Sequence, residues 1–185
     1  MLKGDKVGLR ARIEADVPVL EAELYADIAT QVRSDGRPWR PFTPGSQASR
    51  FGVREPTDEF DAFSIVELAT DELAGSAAFW GIDTHNRYAH LGLGLLPAFR
   101  GKGFGSDVVR VLCWYGFNIR GMHRLQIETL TDNHAMLRAA EVNGFVREGT
   151  LRGAGWLDGE FVDEAILGLL ADEWRTGRAA QPKAG

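Results

Sequence analysis

The chain has 185 residues, of which 44% are hydrophobic and 25% are charged, an ordinary composition for one globular domain. Its formal net charge of −5 argues against the basic footprint of a nucleic-acid-binding protein. No apolar run reaches the roughly 18 residues of a membrane span, and the amino-terminal stretch does not resemble a secretory signal. The single cysteine, Cys113, excludes an internal disulfide. We therefore expect a cytoplasmic protein with one domain over residues 1–174 and a disordered tail over 175–185.

The first half of the chain predicts one strand, one helix, a long loop and three more strands. Residues 7–10 read as a strand, and Asp16 is typical of the residue that caps the start of a helix. Prolines and glycines between residues 34 and 59 predict a loop, with a short helix near residues 47–51. Three strand-like runs with short turns follow and predict an antiparallel meander.

The second half predicts a helix, a strand, a second helix and a closing hairpin. Gly121 and Gly144 are placed to end the two helices, and Asn133 is placed to cap the start of the second. Asp158 followed by Gly159 is a strong signal for a two-residue hairpin turn. The whole order is strand, helix, meander, helix, strand, helix and hairpin.

A glycine-rich corner, "RGKGFGS" at residues 100–106, joins the last strand of the meander to its helix. Such a turn collects backbone N–H groups at a helix start, where they and the helix dipole bind phosphate. Arg100 and Lys102 supply countercharge. The glycine spacing matches neither a Walker loop nor a dinucleotide-binding fingerprint. A plain strand-to-helix turn with surface cations is the alternative.

Two glycines, Gly92 and Gly94, interrupt the strand before this corner. Glycine inside a strand often marks a bulge or a close backbone approach, which would leave peptide groups free to pair with an extended ligand. The expected ligand has phosphates at the helix and an amide-bearing arm along the strand. Pantetheine joined to a nucleotide has this form.

The corner and the segments after it resemble the GCN5-related N-acetyltransferases, the GNAT superfamily. Arg100, Gly103 and Gly105 match the acetyl-CoA signature Arg/Gln-x-x-Gly-x-Gly/Ala. Asn133, the stretch "NGFVREG" and a closing hairpin that includes Asp163 are similar to the RimJ/RimL-like branch, which contains ribosomal-protein and spermidine acetyltransferases. The resemblance covers roughly residues 7–174.

This resemblance implies an α/β (α+β) GNAT fold, with a mixed sheet of about seven strands, splayed at strands 4 and 5, and about four flanking helices. It implies acetyl-CoA in the splay, with a backbone N–H supporting the oxyanion of the reaction. It also implies direct attack by a primary amine from a protein N-terminus, a polyamine or another small amine. The implied cofactor contacts are Leu93, Gly94, Leu95, Arg100, Gly101, Lys102, Gly103, Phe104, Gly105, Ser106 and Asn133.

The general acid of the family is missing. Ala140 stands where the family usually has tyrosine, and Met136 stands where the RimL-like branch has serine. Three explanations stay open. The thiolate leaves unaided, since its pKa is about 8.5; another donor serves, such as Cys113, Tyr115 or water; or the protein binds acyl-CoA with little or no catalysis. The last is the alternative function.

The general base is equally open at this stage. His90 leads into the expected thioester site, and Glu67 and Glu128 lie on predicted central strands. Each is also compatible with an ordinary strand residue. Trp39 is a candidate for lining the acceptor pocket or for plugging the core. Asp163 is a candidate for the acceptor site or for holding the hairpin together.

The expected partners are few. The four histidines lack metal-ligand spacing, so we expect no metal. We expect a small-molecule or peptide amine as the acceptor, and no nucleic acid or membrane. The resemblance makes a homodimer possible.

Overall fold

The computed structural model describes residues 1–34, 36–43, 46 and 49–179, without the side chains of residues 178 and 179. These residues form one mixed sheet in the order β1-β2-β3-β4-β5-β6-β8-β7. The strands are β1 (Leu2–Lys3), β2 (Val7–Arg10), β3 (Phe60–Glu67), β4 (Leu73–Asp83), β5 (Tyr88–Leu95), β6 (Arg124–Leu130), β7 (Val146–Leu157) and β8 (Glu160–Leu170).

In the described residues, five α-helices flank the sheet. They are α1 (Val17–Leu20), α2 (Ile28–Ser34), α3 (Phe104–Trp114), α4 (His134–Glu141) and α5 (Ala171–Ala179). One π-helical turn, Glu21–Tyr25, extends α1, and another, Tyr115–Ile119, extends α3; short 3-10 turns occupy Glu14–Asp16 and Pro97–Phe99. No helix in the described part of the chain is long and apolar enough to cross a bilayer.

The predicted fold class is confirmed, with small additions at both ends of the chain. The two-residue strand β1 pairs with β2 and raises the strand number to eight. Helix α5 continues to Ala179, so the chain remains helical beyond residue 174, where the sequence predicts the tail to begin. Residues 180–185 lie outside the described residues, as do Gln47 and Ala48 of the short helix predicted near residues 47–51.

The two faces of the sheet carry different helices. Leu95 points towards α3, because its Cδ1 lies 3.9 Å from the position that a Cβ on Gly105 would occupy. The neighbouring Gly94 faces the opposite side, where Leu24 lies 3.5 Å from the corresponding Cβ position. We call these the α3 face and the α1 face. The main apolar core fills the α3 face, with buried side chains that include Phe79, Leu91, Val108, Leu112, Leu125 and Ile127.

Strands β5 and β6 are parallel and separate soon after they pair. Their pairing runs from Tyr88 opposite Arg124 to His90 opposite Gln126. Beyond that point β5 continues to Leu95 and β6 to Leu130 without pairing to each other. We call the resulting gap the wedge, with its apex at His90 and its mouth at Leu95. It lies between the strands predicted as fourth and fifth, so the expected splay is confirmed.

The predicted bulge at Gly92 and Gly94 is wrong. The β4–β5 register is continuous from Gly75 opposite Leu95 to Trp80 opposite His90, and the irregularity comes later, between Trp80 and Asp83. The glycines instead give room on the α1 face, where a Cβ on Gly92 would lie 3.9 Å from Trp80 Nε1.

The predicted helix ends are mostly correct. Asn133 Oδ1 accepts a hydrogen bond from Met136 N at 3.2 Å and caps α4, while Gly121 and Gly144 adopt φ values of +65° and +90°. Asp16 occupies the N-cap position of α1 as predicted, but its side chain makes no capping hydrogen bond there. Its carboxylate pairs with Arg10 at 2.6 Å and accepts the Ser64 hydroxyl at 2.7 Å, because burial makes these polar partners more favourable than an exposed cap.

Candidate functional site

The glycine corner lies at the mouth of the wedge and opens directly into α3. Gly101 and Gly103 have φ values of +75° and +81°, a left-handed backbone conformation that favours glycine. A Cβ on Gly101 would meet nothing within 4 Å, so the outer surface of the turn is open. Phe104 is buried and stacks on Phe99 at 5.8 Å, which fixes the start of α3. The first N–H groups of α3 therefore face an accessible surface that suits an anion.

The cations of the corner are held close to it. Arg100 Nε donates to Leu95 O at 2.9 Å, and Lys102 Nζ lies 5.6 Å from the centre of the Phe99 ring. Asn143 Nδ2 donates to Ser106 O at 2.9 Å and so ties the end of α4 to the first turn of α3. The corner thus combines backbone N–H groups with two cationic side chains.

The backbone of β5 offers donors to the wedge at alternate residues. Leu96 N donates to Ala74 O at 2.9 Å, and Gly94 O faces Gly75, so even-numbered residues turn their peptide groups towards β4. Because peptide groups alternate along a strand, Leu93 and Leu95 turn theirs into the wedge. Of the three residues expected to contact the cofactor arm, Gly94 is therefore the exception, since its peptide group faces β4.

His90 lies at the apex of the wedge on the α1 face. Its ring stacks on Trp80 with 4.3 Å between centroids, and its Nδ1 lies 3.7 Å from Glu128 Oε1. Among the described residues this buried Nδ1 has no hydrogen-bond partner. Burial lowers the pKa of His90; Glu128 opposes this effect and Arg124 adds to it. The imidazole is therefore neutral at pH 7 and able to accept a proton.

Glu128 is held in place by a row of side chains along β6. Gln126 Nε2 donates to Glu128 Oε1 at 2.7 Å, and Arg124 Nη2 donates to Gln126 Oε1 at 3.0 Å. Arg124 also pairs with Glu148 at 2.5 Å. Alternate residues of β6 share one face, so this row places the Glu128 carboxylate beside His90.

A second carboxylate, Glu164, lies near Glu128 on the same face. Leu130 is opposite Glu164 and Glu128 is opposite Ile166, so the two glutamates are diagonal neighbours across β6 and β8. Burial raises the pKa of Glu164, and the charge of Glu128 raises it further. Within the described part of the chain neither carboxylate pairs with lysine or arginine, so this side of the wedge favours a cation.

Glu67, the third predicted base, is not in the wedge. It lies seven residues along β3 from Phe60, which is opposite Trp80, and at 3.3 Å per residue this separates it from the apex by about 23 Å. Its carboxylate accepts the Thr70 hydroxyl at 2.9 Å in the β3–β4 turn.

The two predicted acceptor-site residues have structural partners. Trp39 Nε1 donates to Tyr25 O at 3.2 Å, and the two rings stack at 5.9 Å, which fastens the loop after α2. Asp163 Oδ1 accepts the Gly153 N–H at 2.8 Å, which stabilises the irregular part of the β7–β8 hairpin. These contacts fit the structural alternatives: packing within the protein for Trp39, and holding the hairpin together for Asp163.

The candidate proton donors lie away from the wedge. Cys113 is fully buried, and burial raises its pKa far above the usual thiol range. The Tyr115 hydroxyl donates to Asp61 at 2.7 Å, and burial raises the pKa of Tyr115 as well. Ala140 is buried and Met136 packs against the core, so neither position substitutes for the missing acid.

Asn133, the remaining cofactor candidate, is already bonded within the protein. Besides its capping bond it donates from Nδ2 to Thr129 Oγ1 at 2.9 Å. An amide still has one further N–H and one further lone pair for a ligand.

Sequence reasoning missed Trp80, Gln126 and Glu164. Gln126 precedes Glu128 by two residues, so period-two alternation places both on one face of a strand. Trp80 and Glu164 join this cluster through cross-strand register, which sequence patterning does not specify.

Comparisons with known proteins show which family and fold the chain shares. The family model described as "Acetyltransferase (GNAT) domain" matches residues 6–146. The uncharacterized N-acetyltransferase p20 of Bacillus licheniformis is 31% identical over 80% of this chain and 89% of its own length. The ribosomal-protein-serine acetyltransferase of Escherichia coli is 28% identical over 55% of this chain and 57% of its own length.

A solved structure shares the fold. Spermidine N-acetyltransferase from Vibrio cholerae, in complex with CoA and spermine, aligns with a TM-score of 0.75 at 18% identity. The alignment covers 92% of this chain and 98% of that chain.

Proposed function

The chain belongs to the GNAT acetyltransferase family, and we propose that it transfers the acetyl group of acetyl-CoA to a cationic primary amine by direct attack. The proposal rests on one observation, that three features come together in the wedge. The start of α3 lies at its mouth, the N–H groups of Leu93 and Leu95 point into it, and a neutral His90 lies at its apex.

The chain's own groups fit the cofactor of this family. The backbone N–H groups of residues 103–106 bind the diphosphate, with Arg100 and Lys102 as countercharges. The Leu93 and Leu95 peptide groups pair with the amide-bearing arm along β5. Bound acetyl-CoA supplies an activated acetyl group, and the backbone donors orient it towards the apex.

The acceptor side recognises an ammonium group. Glu128 and Glu164 attract the cation, and Trp80 offers an aromatic face beside His90. An α-amino group has a pKa of about 8 and a lysine-like amine about 10.4, so both are mostly protonated at pH 7 and need a base. His90 takes this proton, and Glu128 stabilises the imidazolium that forms.

Two acceptor classes have support from related proteins. The Vibrio cholerae neighbour is a spermidine acetyltransferase, and the Escherichia coli relative acts on a ribosomal protein. Polyamines and protein amino termini both present a cationic primary amine, which the two carboxylates suit. The leaving thiol has a pKa of about 8.5, so it departs near neutral pH without a protein acid.

A thiol-release assay with a panel of acceptors tests the proposal. The panel is spermidine, a short peptide with a free amino terminus, the same peptide acetylated at that terminus, and butylamine. We expect CoA release with the first two, slower release with butylamine, and none with the blocked peptide. Tight CoA binding without release from any acceptor would contradict the proposal and favour a non-catalytic acyl-CoA-binding protein.

A further inference from the structure

We propose that Lys6, in the turn between β1 and β2, binds the cofactor diphosphate together with the start of α3. This inference rests on the proposed cofactor site. Lys6 Nζ donates to Lys102 O at 2.9 Å and lies 3.3 Å from the position that a Cβ on Gly103 would occupy. The ammonium group thus lies against the first residues of α3, although about a hundred residues separate it from the glycine corner. An ammonium has three N–H donors, so two remain for an anion.

The position of Lys6 is fixed through Asp107, in the first turn of α3. The Asp107 carboxylate accepts the backbone N–H groups of Asp5 at 3.2 Å, Lys6 at 2.7 Å and Val7 at 3.0 Å. Burial acts to raise the pKa of Asp107, but these N–H groups and Arg110 outweigh it, and the pKa is lowered. Asp107 therefore stays ionised at neutral pH, and its hydrogen bonds hold the β1–β2 turn against the start of α3.

A carboxylate in the first turn of a helix would ordinarily repel a phosphate bound at the same end. Asp107 is 7% exposed, and its charge is directed at the three N–H groups and at Arg110. The β1–β2 turn comes close enough for this only because residue 4 is glycine, since a Cβ on Gly4 would lie 2.5 Å from Asp107 Oδ2. The same contact that removes the repulsion brings the Lys6 ammonium to the glycine corner.

The charges around Lys6 leave it available. Asp5 pairs with Arg110 at 3.0 Å, and Glu67 accepts the Thr70 hydroxyl. Lys102 lines the same shallow cavity as Lys6 and adds a second positive charge, and the Asp5 and Glu67 side chains line this cavity as well. In the described part of the chain Lys6 forms no ion pair with a carboxylate. The Lys6 ammonium group would therefore attract a phosphate bound at the start of α3, because the two groups carry opposite charges.

The test compares Lys6→Met with Lys3→Met, which removes a lysine from the adjacent strand β1. Calorimetry should show about tenfold weaker binding of CoA to Lys6→Met and unchanged binding to Lys3→Met, as expected for one charge-assisted hydrogen bond. The loss should persist with 3′-dephospho-CoA, which keeps the diphosphate. S-acetylpantetheine, which has neither phosphate group, should react equally with Lys6→Met and wild-type protein. Lys6→Arg should retain most of the affinity.

The outcomes separate this inference from the proposed function. Unchanged CoA affinity in Lys6→Met, or a loss that disappears with 3′-dephospho-CoA, would overturn the assignment of Lys6 to the diphosphate while leaving the enzyme proposal intact. No CoA binding by the wild-type protein would overturn the cofactor site and Lys6 with it. An unchanged thermal unfolding midpoint in Lys6→Met would show that any lost affinity comes from the contact and not from misfolding.

Discussion

The mouth and the apex of the wedge are built from different chemical groups. At the mouth, the candidate phosphate site consists mainly of backbone N–H groups, placed by two glycines in the left-handed region and by the start of α3. At the apex, the candidate reaction site consists of side chains from β4, β5 and β6, represented by Trp80, His90 and Glu128. Changes at the mouth should therefore alter cofactor affinity, and changes at the apex should alter acceptor chemistry.

The largest expected effect comes from Gly103→Glu at the mouth. A carboxylate at this position would fill the phosphate site, and the side chain would strain a φ of +81°. We expect CoA binding at least 100-fold weaker by calorimetry. Gly121→Glu is the matched control, because Gly121 also has a positive φ, a Cβ there would meet nothing within 4 Å, and it lies at the far end of the α3 segment. Equal loss in both variants would show general strain instead of a blocked site.

At the apex, His90→Gln should lower kcat/KM about 100-fold at pH 7 while leaving CoA affinity unchanged, since it removes a general base. The pKa of His90 is lowered, so the wild-type rate should reach its plateau at a lower pH than a histidine with an ordinary pKa would allow. The variant depends on amine that is already neutral, so its deficit should shrink as pH rises towards the amine pKa. His85→Gln, in an exposed turn, is the control; a deficit that stays constant with pH would contradict a proton-accepting role.

A third prediction concerns the buried carboxylate of Asp16 and its contribution to the stability of the fold. Burial opposes ionisation of Asp16, but Arg10 and Ser64 outweigh it and lower its pKa to about 2 from 3.8. Asp16→Asn should therefore reduce the free energy of unfolding by about 2 kcal/mol at pH 7. The depressed pKa stabilises the fold above about pH 4, and this stabilisation is lost as pH falls towards 2, where the variant and wild type should converge. Denaturant unfolding at several pH values measures the free energy of unfolding and its pH dependence. The control is Asp58→Asn at an exposed position, which should change the free energy of unfolding little. A similar loss of stability in Asp58→Asn would contradict the role assigned to Asp16.

The smallest expected effect is on acceptor binding. Glu164→Gln should raise KM for spermidine about fivefold and leave kcat and CoA affinity nearly unchanged, because Glu164 supplies attraction without contacting the proton in transit. The rise in KM for butylamine should be smaller, because butylamine carries a single positive charge. Glu160→Gln, at the exposed start of β8, is the control. Equal changes in KM for spermidine and butylamine would count against charge recognition by Glu164.

Sequence reasoning predicted the local structure of the mouth better than that of the apex, for a physical reason. Turns and helix starts depend on neighbouring residues, so Gly103 and Asn133 could be placed at helix starts from local patterns. The apex depends on register between strands distant in sequence, such as Trp80 opposite His90, and this is decided by packing. The same limit explains why Glu67 and Glu128 were indistinguishable on strand position alone, although Glu67 lies at the β3–β4 turn and Glu128 lies beside His90.

Hydrogen exchange of individual amides, measured with and without CoA, tests the central claim most directly. The account predicts that CoA slows exchange at Gly103–Ser106 and at Leu93 and Leu95, while Gly94, whose peptide group faces β4, changes little. Protection confined to other segments, with residues 103–106 unchanged at saturating CoA, would contradict the placement of the cofactor and the roles assigned around it.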